Sequence, residues 1–415
     1  MTRVCVVGGG SSGLSAAVHA AGCGAGVVLL ERNRECGLKL LATGGGRANV
    51  SNLRSADEWA RLFGRRGRFI LPALAFLPLE KLCDWFTELG VPLSSPDGFH
   101  LFPVVNSART VRDAFVAKTL RLGVELRTGC RAERLCLRDG RLVGVNLADG
   151  TTVDCDAAVI ASGGRSWPAT GSTGEGYALS AQAGHRATPT YPGLVGLRID
   201  NLSSELAGLV LPNAKVTCKL PGRKALVGDR ELLLTHGGVS GPAILDLSGE
   251  VVEALAVEGR RTLTAHIAWQ AQMRKDDWLA KLDEWRRKRG GDGVLKLVRE
   301  HLPNRLARWL CGWAGVDDDM TAANLPARLR DRLAVALGAF PAEITGSEGW
   351  DKAMITRGGI DLREVDPKTL ASRLVAGLYF SGELLDIDGP CGGYNLHWAF
   401  ASGALAGSAA AKCER

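Results

Sequence analysis

Apolar residues in the first 190 positions fall into short continuous runs separated by longer, spaced patterns. Residues 4–7 and 26–30 are unbroken apolar stretches flanked by glycine, as strands covered on both faces require, and the small, Ala-rich segment 14–21 between them reads as a helix. Residues 82–89 and 110–122 repeat apolar positions at helical spacing, whereas 124–127, 134–137, 142–147 and 153–161 read as strands, the last stopping just before Gly163-Gly164. Strand, helix and turn in this alternation predict a doubly wound α/β sheet, in which ligands meet the carboxyl ends of the strands. From about Tyr191 the texture changes. Segments 195–199, 214–220 and 231–235 look β-rich, and 274–289, 294–312 and 325–337 look helical. The first texture then returns: 378–381 is a further strand running into Gly382-Glu383, and 396–411 is a small-residue helix. The expected organisation is a nucleotide domain split by an insertion. Its first part is 1–190, the insertion 191–345 (β-rich over 191–255, mostly helical and basic over 256–345), and the closing part 346–415.

A chain of 415 residues exceeds one ordinary core, which agrees with this division. Its 53 glycines gather in clusters such as Gly8–Gly10, Gly44–Gly46 and Gly392-Gly393, the pattern of backbone lying against ligand. Eleven cysteines, an odd number without a Cys-x-x-Cys pair, match neither a disulfide framework nor a zinc site and read as a reduced, intracellular set. With Met1-Thr2-Arg3 leading straight into the first strand and no apolar run of membrane length, a cytoplasmic protein without a membrane partner is expected.

The net charge of +7 is local. Between Gly259 and Leu310 thirteen Lys/Arg face six Asp/Glu, a surplus equal to the charge of the whole chain. The same stretch carries Trp269, Trp278, Trp285 and Trp309 around Arg286-Arg287-Lys288-Arg289. Two readings stand: a surface that holds phosphates and stacks on bases, or amphipathic helices with tryptophan in the core and solvated charges.

The first strand runs into Gly8-x-Gly10-x-x-Gly13, with Glu31 eighteen residues beyond. Gly8 permits a tight turn, Gly10 lets backbone approach a pyrophosphate, Gly13 lets the helix pack closely, and the helix start offers free N–H donors. Glu31 stands where a carboxylate accepts ribose hydroxyls. FAD is longer than NAD and needs a second Gly-acid turn, the place that Gly382-Glu383 fills. A helix beginning near Leu396 would direct its positive end at whatever Gly392-Gly393-Tyr394-Asn395 holds, and a reduced flavin is negative along its N1/O2 edge.

Residues 37–52, with the core Gly44-Gly45-Gly46-Arg47-Ala48-Asn49, together with 171–177, 234–242 and 389–398, resemble in order the signature blocks of the BaiN/RdsA family of FAD-dependent oxidoreductases. The resemblance implies a split, Rossmann-like FAD domain with an inserted β-plus-helical domain. On the matching positions Gly8, Gly10, Gly13, Glu31 and Arg32 would serve the ADP half of FAD. Lys39, Thr43, Gly44, Gly45, Arg47 and Asn49 would line pyrophosphate and isoalloxazine, and Gly163, Gly382, Glu383, Gly392, Gly393, Tyr394 and Asn395 would complete the site. Family members are linked to reduction of uridine in large-subunit ribosomal RNA, reduction of unsaturated bile acid intermediates, and oxidation of aminoacetone. The first two share hydride delivery from flavin N5 to the β-carbon of an enone. The favoured expectation is therefore an NAD(P)H-dependent reductase of uridine in ribosomal RNA, the RNA held by the basic insertion. With no second Gly-x-Gly-x-x-Gly, the nicotinamide would visit the flavin transiently. An enzyme of a small amine or enone, and a flavin-bound RNA-binding factor without turnover, are the alternatives.

Two departures bear on mechanism. The usual cysteine after Gly-Gly-Gly-Arg is Ala48, and the small residue before Gly392-Gly393 is Cys391. Cys391 is either a relocated proton donor or a small side chain filling a turn. His236 is an acid or anchor, or else a structural hydrogen-bonding residue, with His397 a third candidate. Arg357 polarises a carbonyl, binds phosphate or faces solvent.

Overall fold

A computed structural model describes residues 1–413. Among the described residues, 1–191 with 354–413 form one compact unit and 192–353 another. The first is built on five strands, β1 (Arg3–Val7), β2 (Gly26–Glu31), β3 (Glu125–Thr128), β4 (Ala157–Ile160) and β5 (Leu378–Phe380), in the order β5-β4-β1-β2-β3, every pair parallel. Val6 stands beside Leu29 on one side and Val159 on the other, and Val159 beside Tyr379. β4 and β5 are buried throughout, which is why these strands are apolar without alternation. Gly8, Gly163 and Gly382 each follow a strand by no more than three residues, so all three lie at one edge of the sheet.

Helix α1 (Ser11–Gly22) and the closing helix α2 (Tyr394–Ala411) pack backbone to backbone. A Cβ at Gly403 would stand 2.1 Å from Ser12 O, and one at Gly407 2.1 Å from Ala16 O. The small residues of α2 are thus the condition for its approach to α1, and Ser15 Oγ donates across the seam to Phe400 O at 2.7 Å.

The 153–161 run is not one strand. Thr152–Asp154 joins Ala132–Arg138 and Arg141–Leu147 in a separate antiparallel sheet, and the chain breaks at Cys155-Asp156, where Asp156 Oδ2 accepts from Arg3 N at 2.7 Å. A further small sheet pairs Ser51–Asn52 and Leu93–Ser94 with His100–Pro103.

The second unit holds an eight-stranded antiparallel sheet and five helices of its own. Helix Pro242–Val257 occupies part of the segment read as β-rich; Pro242 starts it after a left-handed Gly241, φ +90°, and Ile244, Leu247, Val251 and Ala254 bury one face. Conversely Leu263–Ala268 and Phe340–Ser347 are strands within the segment read as mostly helical, where buried Leu263, Ala265 and Ile267 alternate with exposed neighbours. The 294–312 helix is two, Val294–Arg299 and Asn304–Ala314, because Pro303 cannot donate within a helix. Trp269, Trp278 and Trp285 are core residues, Trp269 Nε1 donating to Ala336 O at 2.8 Å. Arg289 is held by Asp292 and Glu300, and Lys288 by Glu284. Base stacking on these three tryptophans is therefore ruled out, whereas Trp309 is half-buried and Arg286 and Arg287 are exposed. No helix of the described residues is long and apolar enough to cross a membrane.

Candidate functional site

A cleft of about 1290 Å³, including the solvent at its mouth, lies along the carboxyl edge of the parallel sheet, with Glu31 and Arg32 among its lining residues at one side and Lys39, Glu383 and Asn395 at the other. Gly8 turns the chain with φ +108°, and a Cβ there would stand 2.7 Å from Ala161 O. At Gly13 a Cβ would be 1.8 Å from Gly8 O, so α1 seats on the turn only because that position is glycine. Gly10 caps α1 without a side-chain hydrogen bond, and with Ser11 and Ser12 it lines the cleft, leaving the first amides of the helix to an anion. Glu31 is fixed from both sides: Oε2 accepts from Gly9 N at 2.8 Å, and Oε1 from Asn33 N and Nδ2 at 2.8 and 2.9 Å. Arg32 is tied to Thr173 Oγ1 and Glu175.

Toward the other end, Lys39 Nζ meets Glu383 Oε2 at 2.5 Å and Ser166 Oγ at 2.6 Å. Glu383 Oε1 also accepts from Ser166 Oγ at 2.7 Å and from Thr356 N at 2.8 Å. Burial pushes the Glu383 carboxyl up, but Lys39 and these donors outweigh it and hold the group below its ordinary range. Gly382 carries a left-handed φ of +69° that aims this acid, and its N–H donates to Ser402 Oγ at 2.9 Å. Thr43 and Gly163 also line the cleft.

Beyond the lining, two loops are stitched together. Gly44, Gly45 and Gly46 are all left-handed, and so is Ala48, φ +58°. Phe102 packs against Gly44 and lies 4.7 Å under the Arg47 guanidinium. With its amide oriented to donate to Ser51 O at 3.0 Å, Asn49 accepts from Gly393 N at 3.2 Å, and Asn52 Nδ2 donates to Gly392 O at 2.8 Å. A Cβ at Gly393 would meet Ser51 O at 2.5 Å. Asn395 clamps the turn before α2, its Oδ1 accepting from Gly389 N and its Nδ2 donating to Gly389 O. Tyr394 is buried against Trp59, ring centres 4.6 Å apart, so it packs the wall instead of lining the cleft.

The acid candidates separate. Cys391 is half-buried in the turn beside Gly392. Arg357 pairs with Asp388 at 2.9 Å, and Asp388 with Arg66 at 2.7 Å, so its charge is compensated within an ion network and does not simply face solvent. His397 is fully enclosed, its Nε2 on Leu77 O at 3.0 Å and its Nδ1 on Ser51 Oγ at 2.8 Å. Burial lowers it to about 4, so at neutral pH it is an uncharged strut and not an acid. His236 lies in the other unit, at the exposed turn between Leu232–Thr235 and Gly238–Ser240. Sequence reasoning missed Ser166, Thr356 and Asn33, which hold Glu383 and Glu31. Asn33, two residues from Glu31, was the one with a local signal.

A family profile described as the HI0933-like protein Rossmann domain matches residues 2–409. The chain belongs to the HI0933-like family. Over 416 residues it is 32% identical to a 3-dehydro-bile acid delta(4,6)-reductase of Clostridium scindens, covering 99% of this chain and 100% of that one. Over 406 residues it is 30% identical to the ribosomal RNA dihydrouridine synthase of Escherichia coli, covering 96% and 95%. In fold it is similar to a 3-ketosteroid Δ4-(5α)-dehydrogenase of Rhodococcus jostii RHA1, with a TM-score of 0.54 at 17% identity over 99% of this chain and 97% of that one. These HI0933-like proteins are FAD-dependent oxidoreductases, and this chain is one of them. Its residues fit the cofactor: an open helix end for a pyrophosphate, a carboxylate fixed for ribose, and a compensated Lys–Glu pair at the far end of one cleft.

Proposed function

We propose that the enzyme saturates a conjugated C=C in uridine of ribosomal RNA, with NAD(P)H as the reductant. FAD, when bound, supplies the two-electron chemistry. The reading of the reaction rests on the two full-length relatives, whose names both describe saturation of a C=C bond. What favours RNA over a small enone is the surface of the FAD unit. Arg61, Arg65 and Arg68 are exposed, and among the described residues no ion pair holds them. They flank Phe63, which packs on the turn before α2: a Cβ at Gly389 would be 2.5 Å from Phe63 Cζ. Three uncompensated guanidiniums beside that turn suit a phosphate backbone, and a steroid has no use for them. The buried tryptophans of the insertion play no part in this reading. Dihydrouridine mapping of ribosomal RNA from a deletion strain and its complemented parent tests it; one missing site restored by complementation is expected, and an unaltered profile refutes the RNA substrate. Anaerobic bleaching of the flavin by NADPH tests the reductant separately.

A further inference from the structure

We infer that His100, oriented by Asp97, is the proton donor of the reductive step; this rests on the C=C reductase reading above. Asp97 Oδ2 lies 2.6 Å from His100 Nδ1, while Asp97 Oδ1 accepts from the backbone N–H groups of Phe99 and His100 at 3.0 and 2.8 Å. Those bonds, the imidazole's first, hold the carboxyl well below the usual carboxylate range, so it stays an acceptor. Nδ1–H is thereby committed to Asp97 and the ring is fixed with Nε2 on its opposite side. That side meets the turn before α2: Nε2 is 3.6 Å from where a Cβ on Gly392 would stand, next to Cys391. His100 and Phe102 share one face of the strand His100–Pro103, and Phe102 covers Gly44. A single strand face therefore spans the two glycine loops, Gly44–Asn49 and Gly392-Gly393, that Asn49 ties together.

The other imidazoles of this unit are enclosed or packed against aromatic rings. His397 and His185 are buried, and His19 lies against Trp85 with Nδ1 on Ser15 O. His100 keeps 32% of its side chain exposed, enough to exchange protons with water. FAD, when bound and reduced, would supply the hydride that the β-carbon gains, and the α-carbon gains the proton of His100 Nε2–H. One N–H bond breaks and one C–H bond forms, the electron pair stays on Nε2, and solvent returns the proton.

The test uses holoenzyme, wild type, His100→Gln and Asp97→Asn, with FAD content and thermal midpoint measured first to establish that the variants are folded and loaded. Bleaching by NADPH under anaerobic conditions should stay within about threefold of wild type. Reoxidation by ribosomal RNA from the deletion strain, or by 2-cyclohexenone where RNA is inert, should fall at least about 100-fold in His100→Gln and less in Asp97→Asn. Nitrogen-15 NMR of imidazole-labelled oxidised holoenzyme gives a readout independent of turnover: the Nε2 signal lost in His100→Gln should shift when 2-cyclohexenone is added. Wild-type reoxidation rates in His100→Gln, or an unmoved Nε2 signal, overturn the assignment of His100 alone. Wild-type enzyme that neither acceptor reoxidises overturns the reductase reading, and the proton-donor role with it.

Discussion

Replacing Glu383 by Gln takes the counter-charge from Lys39 while leaving an amide oxygen able to accept from Ser166 and Thr356. Lys39 Nζ then faces an amide N–H where a carboxylate stood at 2.5 Å, and retains Ser166 Oγ as its partner. Breaking a fully buried pair costs about 3–5 kcal/mol; here Lys39 and Glu383 side chains keep 24% and 21% of their exposure, and water recovers part of that, so a loss of about 2–3 kcal/mol is expected. For a protein of 415 residues that lowers the thermal midpoint by about 2–4 °C. Denaturant unfolding of the FAD-free protein at pH 7 is the assay, because bound cofactor would add its own linkage. Lys39→Met should cost a similar amount, whereas Lys39→Met with Glu383→Gln removes both charges and should cost at least about 1 kcal/mol less than the two singles together. Additivity within about 0.3 kcal/mol would refute the ion pair as the organising contact of this end of the cleft. The pH dependence has a definite sign. The folded Glu383 carboxyl sits below its ordinary 4.5, so its contribution is complete above that value and is lost as pH falls through the folded pKa.

Gly13→Ala should abolish FAD retention and destabilise the protein by about 1–3 kcal/mol or more, because the methyl group would lie 1.8 Å from Gly8 O; FAD content after desalting checks it, and normal loading would contradict the close packing of α1. His397, lowered from 6.5 to about 4, is protonated more readily in the unfolded chain, so it withdraws stability as pH falls from 6.5 toward 4, by about 3 kcal/mol in total. His397→Gln, which preserves one acceptor and one donor, should flatten that part of the stability–pH curve, and parallel curves for the two proteins would argue against a buried neutral imidazole. Replacing Arg61, Arg65 and Arg68 together by Ser should weaken RNA binding and reduce the slope of log affinity against log salt by about 2–3; an unchanged slope would remove these arginines from the interface.

The difference between what the chain's order disclosed and what it concealed follows the reach of each constraint. Gly8, Gly10 and Gly13 were legible because their demands are met within one turn: the backbone atoms that exclude a Cβ at Gly13 belong to Gly8, five residues away. The small residues of 396–411 were legible as a helix, but their cause, the backbone of α1 nearly 400 residues earlier, was not. Glu383 was found by its place after Gly382, yet Lys39, Ser166 and Thr356, which hold its charge, come from three other parts of the chain, and no local pattern joins them. His100 was hidden for the same reason, since its neighbour Gly392 is 292 positions on. The tryptophans differ, because their burial was written locally and composition obscured it. Trp278, Leu282 and Trp285 stand at i, i+4 and i+7, one face of the helix Lys275–Lys288, and all three are buried, whereas Arg286, Arg287 and Lys288 at its end are exposed. Helical spacing separates a core residue from its charged neighbours even inside a basic run, whereas composition alone leaves the base-stacking and amphipathic readings both open. Arg61, Arg65 and Arg68 likewise stand beside buried Trp59, Phe63 and Ile70; what commends them to the proposed RNA contact is that they are exposed and, among the described residues, hold no ion pair, which leaves their charge to phosphate.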